Sequence, residues 1–117
     1  MRDGLIAHAR AQGALDRKQG DGHTLRVHMA AAQKAGRDVS EYAPPPLPAA
    51  FEHLWSWYVA IAEASGGGGF GPARIAWGDI EAWSRLHRIR IAPFELECLI
   101  AIDRAYLRGL QSDEPPA

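Results

Sequence analysis

At 117 residues the chain is long enough for one domain with a modest core. Its 47% hydrophobic content excludes a wholly disordered chain, and 13 basic against 14 acidic residues give no general drive toward nucleic acid or an anionic membrane. Cys98 is the single cysteine, which excludes an intramolecular disulfide and a thiolate zinc site within one chain and fits a reducing, cytoplasmic setting.

Residues 2–15 read as a helix carrying Leu5, Ile6, Ala9 and Leu15, weakened by Gly4 and Gly13. The start Met1-Arg2-Asp3-Gly4-Leu5 lacks the apolar centre of a signal peptide, and no apolar run approaches the ~20 residues of a membrane helix. Asp16 to His23 is a polar connector. A second weak helix is predicted from Thr24 as N-cap to Ala35, with Gly36 as its stop. It offers Leu25, Val27, Met29 and alanines, so little burial is expected of it. Residues 1–42 hold seven Lys/Arg against five Asp/Glu, an excess too small to name a partner. They are expected to form a weakly helical N-terminal arm.

Residues 43–48 contain Pro44-Pro45-Pro46-Leu47-Pro48, which excludes helix and favours an extended, stiff linker. The helical core is expected over residues 49–110. Its first helix runs from about Ala49 to Ser65. Leu54, Trp57 and Ile61 share one side, and Phe51, Trp55, Tyr58 and Ala62 the adjoining one. This apolar arc is too wide for one helical neighbour. The run Gly66-Gly67-Gly68-Gly69-Phe70-Gly71-Pro72 ends that helix. A second core helix spans about Asp79 to Arg88, with Ile80, Trp83 and Leu86 facing inward and Asp79 and Glu81 complementing its N-terminal dipole. Pro93 opens the third, which continues to about Leu110. Glu95 supplies half of a capping box, and Ala92 stands where Ser or Thr would complete it. The third helix carries Phe94, Cys98, Ala101, Ile102 and Ala105 on one face, with Leu96, Leu99, Ile100 and Leu107 elsewhere. Such a helix is either central or presents an apolar face to a partner. Residues 111–117 read as a flexible tail. The fold class is therefore all-α: a small bundle of three core helices with a weakly helical arm.

Catalytic and cofactor readings fare badly. Gly66, Gly68 and Gly71 satisfy G-x-G-x-x-G, but a helix precedes them and Pro72 follows, so a dinucleotide site is rejected. No Lys-Ser/Thr follows Gly71, so it is no P-loop either. His23 and His28 are five apart and share no helix face, and His8, His53 and His87 lie on separate elements. Metal is not expected, and solvated histidines are. Cys98 sits on an apolar face without an activating partner and reads as an inert small hydrophobe. Asp103 falls among leucines and needs a hydrogen-bonding partner. Arg85, Arg88, Arg90, Arg104 and Arg108 raise a helix-turn-helix alternative. The supposed recognition helix, however, would present Pro93, Phe94, Glu95 and Leu96 to the bases. No catalytic residue or cofactor is expected, and nucleic acid is disfavoured as a partner.

An ordered set of segments carries a resemblance. It comprises Pro46-Leu47-Pro48, Leu54-Trp55-Ser56-Trp57-Tyr58, Gly69-Phe70-Gly71-Pro72, Ile75 to Leu86, Pro93-Phe94-Glu95 and Leu99 to Leu107. Across about residues 44–108 the chain resembles the tail assembly chaperones of long-tailed bacteriophages and prophages, small proteins encoded before the tape-measure protein. Ala92 departs from the usual Ser or Thr, and Trp77 from the commoner Tyr. The resemblance implies a non-enzymatic protein that coats the tape-measure protein, keeps it soluble and recruits tail-tube subunits. It implies action in the host cytoplasm and absence from the mature virion. The expected partner-binding residues are Trp57, Tyr58, Phe70 and Trp77, with Arg85 and Arg88 as rim charges. Other readings are a small phage DNA-binding regulator and an adaptor or inhibitor of a host protein. Oligomeric state is left open.

Overall fold

The structure, a computed structural model, describes residues 2–65 and 75–111. The described residues form five α-helices: α1 (Arg2–Leu15), α2 (Leu25–Lys34), α3 (Glu52–Ala64), α4 (Trp77–His87) and α5 (Pro93–Gln111). Short 3₁₀ turns at Ser40–Tyr42 and Ala49–Phe51 flank the proline run. The all-α expectation is met.

The helix ends follow local chemistry. Thr24 Oγ1 accepts from the Val27 N–H at 3.2 Å and caps α2, which Gly36 ends at a φ of 86° that favours glycine. Glu95 Oε1 accepts from the Ala92 N–H at 2.9 Å, so α5 starts at Pro93 with half a capping box. Asp79 Oδ2 does the same for the Ala76 N–H at 2.9 Å. That contact places the start of α4 at Trp77, two residues before the expected one.

The core lies chiefly between α1, α3 and α5. Leu5, Ala9, Leu54, Tyr58, Ile61, Cys98, Leu99 and Ile102 are buried in it. Here the expectation of an arm outside the core is corrected for its first helix: among the described residues α1 makes the most extensive helix–helix contact, with α5. Glycine is the reason. A Cβ on Gly13 would lie 2.0 Å from the Tyr106 carbonyl oxygen, and one on Gly109 would lie 1.9 Å from that of Arg10. Each glycine thus admits the other helix's backbone. Arg2 lies near Cys98 and Gly13 near Gly109, so α1 and α5 run in the same direction. The second helix meets its expectation, since α2 buries no residue.

The proline run lies against α1. His8 Nδ1–H donates to the Pro45 carbonyl at 2.7 Å, Leu47 packs on the core, and Pro48 fills the space beside Gly4. His8 is therefore no solvated histidine: it is 9% exposed, edge-on to Trp55, and Gln12 donates to its Nε2 at 3.3 Å. One outward correction balances this. Leu86, expected inward, is 74% exposed, while α4 turns Ile80 into the core and Trp83 toward Trp57 of α3. Phe94 is also exposed, in the first turn of α5.

Candidate functional site

α5 has two apolar faces. One carries Cys98, Leu99, Ile102 and Tyr106 into the core. The other carries Leu96, Ile100 and Ala101 at helical spacing and is only partly covered. Together with Ile6 of α1 and Trp77 of α4, these residues form the floor and end of a groove of about 690 Å³. Arg2, Arg104 and Arg108 line it, with Glu97 as the one lining carboxylate among the described residues. A smaller hollow of about 270 Å³ opens between α4 and α5 over Ile80, Ser84 and Ile91. Trp77 and Leu96 line both spaces, so a single apolar surface runs from α1 across α5 to α4. Trp77 projects from it, 68% exposed.

The expected partner-binding residues fall in different places. Trp77 is on this surface. Trp57 is half-buried between His53, at 5.0 Å between ring centroids, and Trp83, at 6.2 Å, so it ties α4 to α3 and lines neither space. Tyr58 is corrected to a core residue. It is 1% exposed, and its hydroxyl donates to Asp103 Oδ1 at 2.9 Å. That bond supplies the partner Asp103 needed. Arg85 and Arg88 are exposed on and just after α4, Arg85 with Glu81 at 3.6 Å and Arg88 at the left-handed C-cap. Phe70 and the glycine run lie outside the described residues. The sequence missed Arg2, Ile6, Leu96 and Ile100 as site residues. The over-wide apolar circumference of α5 was the signal for the last two, while Arg2 and Ile6 had none, because nothing local indicates that α1 docks there.

Little here suits reaction chemistry. Burial pushes the Cys98 thiol up, away from the reactive thiolate. The Glu95 carboxyl is held low first by the Ala92 N–H and then by His53 Nε2 at 2.9 Å. Both contacts serve the start of α5 and its link to α3. Among the described residues no group of three or more His, Cys, Asp or Glu side chains could hold a metal ion, and no helix is long and apolar enough to cross a membrane.

What the surface offers is an apolar strip with an exposed indole and a cationic edge, the composition of a protein-binding site. The model of the phage tail assembly chaperone family matches residues 31–108, two-thirds of the chain, and the protein belongs to that family. No curated protein and no solved structure matches it. The matched region takes in α3, α4 and α5 as far as Arg108 but leaves out α1.

Proposed function

We propose that this protein is a non-enzymatic chaperone that binds the tape-measure protein of its phage in the host cytoplasm and assists assembly of the tail tube around it. The observation that supports this is the open apolar strip across α5, bordered by the exposed Trp77, in a chain of this family. A tape-measure protein is a long helical client whose apolar stripes would otherwise associate with one another. Covering them reversibly needs a surface of modest area with one or two aromatic anchors, such as Trp77. Arg85 and Arg88 stand at the outer edge of α4, where exposed charges tune encounter more than affinity.

Co-expression with the cognate tape-measure protein is the test. The chain should hold that protein in the soluble fraction and co-purify with it. Trp77→Ala should weaken capture while leaving the melting temperature close to the parent's, because the side chain is exposed. No capture by the parent chain, or full capture by Trp77→Ala, would count against the reading.

A further inference from the structure

We infer that the groove between α1 and α5 takes an amphipathic helix of another protein whose apolar stripe is flanked by carboxylates. The inference rests on the reading that this surface binds a helical client. Three observations carry it. The floor, Ile6, Leu96, Ile100 and Ala101, is apolar, and the groove it belongs to follows α5 from Pro93 to Arg108, roughly 24 Å at 1.5 Å per residue. That length accommodates about four turns of a docked helix. The edge is cationic: Arg2, Arg104 and Arg108 are exposed against the single Glu97, and none of the three arginines forms an ion pair with another described residue. A cationic rim without ion pairs among the described residues selects a partner with anionic flanks.

The third observation concerns where the wall comes from. Arg2 and Ile6 belong to α1, which lies outside the family match at residues 31–108. The groove of this chain is thus completed by a segment that the family pattern does not cover. Partner choice is accordingly set in part by α1.

The experiment titrates the full chain with two labelled synthetic peptides and follows their fluorescence anisotropy. Both carry the same leucine stripe at helical spacing, one flanked by glutamates and the other by lysines. The glutamate peptide should bind about tenfold more tightly at low salt, the sum of a few rim pairs, with the ratio narrowing as salt rises. Arg104→Glu combined with Arg108→Glu should reverse the preference, and circular dichroism should show the fold retained, since both side chains are exposed. Arg2→Glu alone should reduce the ratio. Equal binding of the two peptides, or a preference that survives the double charge reversal, would overturn the inference. So would deletion of residues 112–117 raising the affinity for both peptides alike, because Asp113 and Glu114 would then be the occupants. So would sedimentation showing a dimer that the double reversal dissociates. Capture of the tape-measure protein without any peptide preference would sink this inference and leave the proposed function standing. A peptide preference without capture would do the opposite.

Discussion

An N-cap needs a side-chain acceptor, and Ala76 and Ala92 offer none to α4 and α5. Each helix instead relies on the carboxylate three residues on. Ala92→Ser should therefore complete the box and stabilise the protein by about 1 kcal/mol in urea unfolding. Glu95→Gln tests the other half. The folded state holds Glu95 below its ordinary pKa, so its stabilisation is present above about pH 4.3 and fades as pH falls through the lower folded value. The variant should be less stable than the parent by about 0.5–1 kcal/mol at pH 7. Unfolding series at descending pH should show that gap closing in acid. Tyr58→Phe keeps the ring contacts with Trp55 and Tyr106 but removes the donor to buried Asp103. A loss of about 1–3 kcal/mol is expected. At this scale the sequence showed what depends on short spacing. Glu95, Thr24 and Gly36 announced their roles, and Asp103 announced a need. His8 did not, because its partner Pro45 is 37 residues away and only the fold brings them together.

Between elements, glycine reverses its usual meaning. Helix propensity counts Gly13 against α1, and in an isolated helix that is correct. In the bundle, Gly13 and Gly109 allow two backbones to meet at a distance no alanine permits. Propensity is a local quantity, so the sequence marked α1 as weak when its stability comes from α5. The signs of two substitutions follow. Gly13→Ala should destabilise by about 3 kcal/mol, at the upper end of overpacking costs, since backbone must move. Gly78→Ala, in the exposed first turn of α4 with nothing within 4 Å of the added methyl, should stabilise by about 0.5 kcal/mol. Thermal melts of the pair against the parent would show opposite shifts, and a like sign in both would refute the close crossing. The surface strip shows the same limit of local reading. Leu96 and Ile100 were visible as surplus apolar residues on α5, but the wall that makes them a groove comes from a helix whose docking no periodicity reveals.

At the scale of the whole molecule, the consequence is that residues 43–117 should not suffice as a folded unit. The sequence places the core in residues 49–110, and the family match begins at residue 31. Yet Leu5 and Ala9 are fully buried, and α1 covers the face of α5 around Cys98, Ile102 and Tyr106. Removing it exposes that face to water and leaves α5 packed mainly on α3. At about 25 cal/mol per Å² of apolar surface, the loss of one helix face is comparable to the whole stability of a small domain. A chain beginning at Ala43 should therefore bind a hydrophobic dye and lose its sharp unfolding transition. Deleting α2 alone is not equivalent, because α2 buries nothing. The decisive arm is complementation. A synthetic peptide of residues 2–15, added in excess, should restore the transition and displace the dye. The same peptide with Gly13→Ala should fail, because its methyl would meet the Tyr106 carbonyl. Sharp unfolding of the truncated chain without peptide would return α1 to the status of an arm. It would also remove the physical basis for assigning Arg2 and Ile6 to the groove.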